Sequence, residues 1–165
     1  MIIIFDLDDT LYEESTFVFS GFRAVACFLE SKLDWNYDNT FNSLIDIHEK
    51  NGRGEVFNLL LDINGVLTKK MVSKLLNIYR HHIPSIKIND SVFDLLSNLK
   101  KPLYIVTDGH KVVQNNKIEA LNINHFFEKI YITHRYGLIN RKPSTYCFEK
   151  IRKNQNCLWE DMVYV

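Results

Sequence analysis

Neither sign of charge is in excess: Lys plus Arg and Asp plus Glu number 20 each, for a net charge of zero. A chain without a basic field has no global electrostatic footprint for nucleic acid or an anionic membrane. Long hydrophobic runs are missing as well. The most apolar helical candidate, residues 17–29, is interrupted by Arg23 and is too short to span a bilayer. The apolar start meets Asp6 before a region of signal-peptide length forms, so no signal peptide is expected. Cysteine is sparse: Cys27, Cys147 and Cys157 are odd in number and show no C-x-x-C spacing. That argues against a disulfide framework and suits buried or partly buried thiols in a reducing cytoplasm. The six histidines have no metal-ligand spacing, and neither a repeat nor a low-complexity tract is apparent.

What is present describes an ordinary globular protein, with 46% hydrophobic and 24% charged residues among 165. That length builds one domain with a real core, with room for a small inserted subdomain. The opening stretch is the most informative. Met1-Ile2-Ile3-Ile4-Phe5 runs straight into Asp6-Leu7-Asp8-Asp9-Thr10. A short apolar run bounded by polar residues reads as a buried strand of a parallel sheet, and such sheets bind ligands at the carboxyl ends of their strands. Two carboxylates two residues apart point the same way from a strand, and like charges so placed repel unless a cation or a proton intervenes. Folding does not ask for that pair. The plainer reading of the same residues is an acidic turn, with Asp9 or Thr10 as a local cap.

Beyond Tyr12 the pattern is helical. Ser15 or Thr16 is expected to cap a first helix, Thr40 a second and Thr68 another that ends near His82, with breaks at Asn51-Gly52-Arg53-Gly54 and Asn64-Gly65. Residues 13–82 thus read as an all-helical insertion. Lys101-Pro102 then leads into Leu103-Tyr104-Ile105-Val106-Thr107, a second buried strand closed by Asp108-Gly109. A helix over 111–121, a strand over 129–132, a polar loop over 133–142, a helix beginning at Pro143 and a strand over 162–165 complete the chain. The alternation predicts an α/β fold, a doubly wound parallel sheet formed by 1–12 and 83–165.

Three strand ends then converge. Asp6 and Asp8 follow the first strand, Thr107 and Gly109 close the second, and Lys142 lies in the loop after the third. A carboxylate nucleophile, a second carboxylate, a hydroxyl with backbone donors and an ammonium meet the needs of phosphoryl transfer, with a hard divalent cation to offset charge. Arg53, between Gly52 and Gly54, is a candidate substrate-binding residue from a mobile loop.

Phe5-Asp6-Leu7-Asp8-Asp9-Thr10-Leu11, Ile105-Val106-Thr107-Asp108-Gly109 and Arg141-Lys142-Pro143 resemble the first three motifs of the haloacid dehalogenase-like (HAD) phosphohydrolases. The resemblance implies that Asp6 is the nucleophile and a ligand of Mg²⁺. Asp8 would be the general acid and base, with its backbone carbonyl on the metal. Thr107 and the Gly109 backbone would hold the phosphoryl group, and Lys142 would pair with Asp6 and that group. An acid at Asp8 implies phosphate esters rather than haloacids. Residues 13–82 would form the helical cap, with Tyr12, Glu13 and Glu14 as the hinge into it, and the substrate would be a small phosphorylated metabolite. The same nucleophile serves a phosphotransferase or mutase, where a substrate hydroxyl attacks second; a non-catalytic binding domain is the third reading. The family's fourth motif, a Gly-Asp followed by another Asp, does not follow residues 162–165, so the chain is expected to be a truncated form of a longer enzyme.

Overall fold

The computed structural model describes residues 1–99 and 102–165. Of the Lys101-Pro102 lead-in, Lys101 lies outside the described residues. The chain divides into two compact units, one of Met1–Glu14 with Ser85–Val165 and one of Ser15–Pro84.

The first unit is built on a four-stranded sheet of β1 (Ile2–Phe5), β2 (Leu103–Thr107), β3 (Lys129–Ile132) and β4 (Met162–Tyr164), in the order β3-β2-β1-β4. All three pairings are parallel, with Ile3 opposite Leu103, Ile105 opposite Ile130 and Ile2 opposite Met162. Every residue of β2 is buried, as expected for a parallel strand covered on both faces. The helices of this unit are α5 (Asp90–Asn98), α6 (Lys111–Leu121) and α7 (Tyr146–Gln155). Ile2, Ile4, Tyr104, Val106 and Tyr131 pack on Cys147 and Ile151 of α7. β1 lies between the strand that follows it through a crossover and the last strand, so the order reverses there. Such a switch point opens a crevice beyond the carboxyl end of the strand, and that is where Asp6 stands.

The second unit is helical: α1 (Glu14–Leu33, whose first residue belongs to the first unit), α2 (Tyr37–Asn51), α3 (Val56–Ile63) and α4 (Lys69–His81). Its core is one cluster that includes Val18, Phe22, Val25, Leu29, Leu44, Leu60, Leu61 and Leu75. Two of the expected caps are corrected. Helix α1 begins at Glu14, so Ser15 and Thr16 lie inside its first turn, and the Glu14 N–H donates to the Asp9 carboxylate at 2.9 Å. Helix α2 is capped by Asn36, whose side chain accepts from Asn39, while Thr40 is buried within the helix and donates to the Asn36 carbonyl. Thr68 caps α4 as expected, accepting from the Met71 N–H at 3.1 Å. Pro143 does not open α7, which starts at Tyr146, and the loop over 133–142 holds two 3₁₀ turns. Cys147 is buried and Cys157 partly so, as expected, whereas Cys27 is exposed. Among the described residues no helix is long and apolar enough to cross a membrane.

Tyr104 in β2 is 1% exposed, and its hydroxyl accepts from Gln155, which also donates to Glu128 at 3.0 Å. Burial first, and then the neighbouring Glu128, push its phenol from 10 up to about 12. The unfolded chain therefore loses this proton before the folded one does. The stability associated with it is complete below pH ~10 and disappears as pH rises through about 12, by on the order of 2–3 kcal/mol. Urea midpoints measured across that window are expected to fall, and to fall less in Tyr104→Phe.

Candidate active site

Asp6 is the first residue past β1, and the main chain leading into it is held by Val165: the Val165 N–H donates to the Ile4 carbonyl at 2.9 Å and the Asp6 N–H to the Val165 carbonyl at 2.8 Å. Its carboxylate is about a quarter exposed. Oδ1 accepts the Leu7 N–H at 2.8 Å and Oδ2 accepts Lys142 Nζ at 2.6 Å. Lys142 also donates to the Tyr164 hydroxyl at 2.9 Å. Burial works to lower the Lys142 pKa, but the hydrogen bonds to Asp6 and Tyr164 and their attraction outweigh it, and the net shift is upward. Lys142 is therefore an ammonium throughout the neutral range. Two of its three protons are used, which leaves one for an anion.

Asp8 is placed differently. Its Oδ1 accepts the Tyr12 hydroxyl and Lys117 Nζ, both at 2.7 Å, and its Oδ2 accepts Gln114 Nε2 at 2.9 Å. Between Asp8 and α1 the chain turns through Asp9, whose φ of 54° is in the left-handed region that Asp tolerates. Gln114 and Lys117 come from α6. Gln114 also donates to Thr107 Oγ1 at 2.7 Å, so one amide bridges the ends of β1 and β2.

Thr107 is fully buried, and its hydroxyl proton faces the Asp108 carbonyl at a long 3.4 Å. Gly109 has a φ of +137°, and a Cβ there would stand 2.9 Å from Gln114 Cδ. Glycine is thus required twice over, by its backbone and by the side chain it admits. Asp108 is tied to the end of the neighbouring strand and to the loop beyond it: its Oδ1 accepts the Thr133 hydroxyl and the Lys142 N–H. This acid consequently fastens the loop that carries Lys142.

The structure brings Asp6, Asp8, Thr107, Gly109 and Lys142 to the carboxyl ends of adjacent strands of one unit. Arg53 belongs to the other unit. There it is exposed and lines a cavity of about 200 Å³ with Phe22, His48, Phe57 and Tyr79.

Gln114, Lys117 and Tyr164 were not singled out from the sequence, and Tyr12 was assigned only to a hinge. A signal for two of them is present. The buried face of α6 is Gln114, Lys117, Ile118 and Leu121, a regular helical stripe whose first two positions are polar where a core would be apolar.

Among the described residues no group of three or more His, Cys, Asp or Glu side chains is gathered for a metal. The Asp8 carboxylate is taken by protein donors, so a hard cation here would have the Asp6 carboxylate and the Asp8 main-chain carbonyl. A carboxylate and a carbonyl, completed by water and substrate oxygens, form a donor set of the kind Mg²⁺ accepts.

The family model described as haloacid dehalogenase-like hydrolase matches residues 3–165. The glyceraldehyde 3-phosphate phosphatase of Methanocaldococcus jannaschii is 29% identical over 171 residues, covering 99% of this chain and 74% of that protein. The protein of the same name from Pyrococcus furiosus is 26% identical over 172 residues, covering 99% and 71%. Among solved structures, a HAD-superfamily hydrolase of subfamily IA from Geobacter sulfurreducens superposes with a TM-score of 0.70 at 13% identity, over 99% of this chain and 76% of its own. The HAD-hydrolase YfnB of Bacillus subtilis, solved bound to magnesium, gives 0.58 at 22% identity over 93% and 71%.

Proposed function

The chain belongs to the haloacid dehalogenase-like hydrolase family, and from that membership we propose that it hydrolyses a small phosphomonoester through an aspartyl-phosphate on Asp6. The observation that carries the reading is the Asp6–Lys142 pair at 2.6 Å, at the switch point of the sheet and two residues from a second, separately held carboxylate. A nucleophile and its cationic partner on one side, and a proton carrier held on the other, are two roles set by two environments.

In the first step the Asp6 carboxylate attacks phosphorus, the bond from phosphorus to the substrate oxygen breaks, and Asp8 protonates the departing alkoxide. In the second, Asp8 takes a proton from water as that water attacks phosphorus, and the Asp6 carboxylate leaves. Lys142 faces the phosphoryl oxygens with its remaining proton. The Gly109 N–H is a second donor to the same oxygens, and the Thr107 hydroxyl, buried under Gln114, would join them by turning outward. When bound by Asp6 and the Asp8 carbonyl, Mg²⁺ offsets charge on the transferring group. The helical unit is read as the family's cap and Arg53 as a substrate-binding residue within it.

Relatives that are glyceraldehyde 3-phosphate phosphatases make a triose phosphate the first substrate to try. The test is release of inorganic phosphate from glyceraldehyde 3-phosphate and a panel of small phosphomonoesters, with Mg²⁺ and with a chelator, beside halide release from 2-haloacids. Mg²⁺-dependent phosphate release without halide release is expected. Halide release, or no turnover of any phosphomonoester, overturns the reading.

A further inference from the structure

We infer that Lys117 and Gln114 are the positioning residues of Asp8, holding its carboxylate from α6 in the orientation that moves the proton. The inference rests on the reading of Asp8 as proton carrier given above. Both side chains lie on the buried face of α6, Gln114 at 1% and Lys117 at 3% exposure. A buried ammonium and a buried amide are costly to the fold unless they are paired, and an apolar pair at these two positions would fill the same face without that cost. Both reach the same carboxylate. Lys117 grips Asp8 Oδ1 at 2.7 Å and Gln114 grips Oδ2 at 2.9 Å. One contact would leave the carboxylate free to rotate about its last torsion; Lys117 and the Tyr12 hydroxyl on Oδ1, with Gln114 on Oδ2, together fix its plane.

Each gripping group is itself braced. The same Gln114 Nε2 also donates to Thr107 Oγ1 at 2.7 Å, and the side chain occupies the space left by the missing side chain of Gly109. Lys117 has a second carboxylate, Glu14, at 3.4 Å. A proton carrier changes charge during turnover, and a buried cation paired only with it would lose its counter-charge at that moment. Glu14 supplies a counter-charge that does not depend on Asp8. The arrangement therefore keeps the grip through both halves of the reaction.

Steady-state kinetics on a phosphomonoester that the parent hydrolyses tests this with Lys117→Met, Lys117→Arg and Gln114→Leu, each in the parent and in Asp8→Asn. Lys117→Met is expected to lower kcat about 10²-fold, the scale of a misplaced catalytic group, with KM within about twofold. Lys117→Arg recovers part of the loss. In Asp8→Asn the same Lys117→Met change moves kcat by less than about twofold, since residues that act through one another are not additive. Equal losses in both backgrounds, or a change in KM with kcat untouched, overturn the inference. If Lys117→Met fails to fold, Gln114→Leu leaves the ion pairs in place and carries the same comparison. Asp8→Asn with parental kcat defeats the assignment of Asp8 itself, whereas an impaired Asp8→Asn with additive partners defeats only the positioning roles.

Discussion

Asp6→Asn is expected to reduce phosphate release by at least about 10⁴-fold, the scale seen when an attacking group is removed from an otherwise intact site. The substitution keeps the side chain's volume and leaves an amide oxygen to accept the Leu7 N–H, so the turn after β1 survives. What is lost is the charged oxygen that Lys142 faces at 2.6 Å. Lys142 keeps its contact to Tyr164 and its partial exposure, so far-UV circular dichroism and the urea midpoint should change little. Loss of turnover with the fold retained is the expected pair of results. Parental activity in Asp6→Asn places the nucleophile elsewhere.

Asp8→Asn carries the second large effect, a loss of about 10²–10⁴-fold in kcat, the contribution of a positioned proton carrier. The size of the loss depends on the leaving group. An alkyl phosphate releases a strongly basic alkoxide and needs the proton in the first step. An aryl phosphate with an acidic phenol does not, so its first step is nearly spared and only the attack of water on the phosphoenzyme remains slow. A burst of phenol followed by slow turnover is therefore expected from Asp8→Asn with the aryl substrate. An equal loss for both substrates with no burst would remove the proton-transfer role from Asp8. Replacement of Asp8 also removes one partner of the buried Lys117, which typically costs about 3–5 kcal/mol, so stability is measured alongside.

The strands and the motif residues were legible because both are local. An apolar run such as Leu103-Tyr104-Ile105-Val106-Thr107 declares a strand by its own composition, and the polar residue that ends it stands at the carboxyl end of the sheet by construction. Lys142 ends no strand; it was placed only in the loop that follows the third one. The support of Asp8 was not legible, because the residues that hold it are 106 and 109 positions away, on a helix whose register against the sheet is decided by packing. Thr107 illustrates the difference. Its place at the strand end was readable, but its complete burial under Gln114 was not. Thr40 was mistaken for a cap because Asn36, four residues earlier, caps α2 and carries the start of the helix back with it. Asp108 likewise shows its partners only in the structure, which turns it toward Thr133 and the Lys142 backbone.

The central claim is that phosphate passes through Asp6, and the most direct measurement of it uses Asp8→Asn with the aryl phosphate. On the proposed mechanism this variant is expected to form the covalent intermediate faster than it hydrolyses it. Rapid acid quench during the burst, proteolysis and mass spectrometry should find one phosphoryl group, on the peptide that contains Asp6, and none in the Asp6→Asn, Asp8→Asn double variant. A phosphoryl group on any other residue, or a burst with no phosphorylated peptide, contradicts the account.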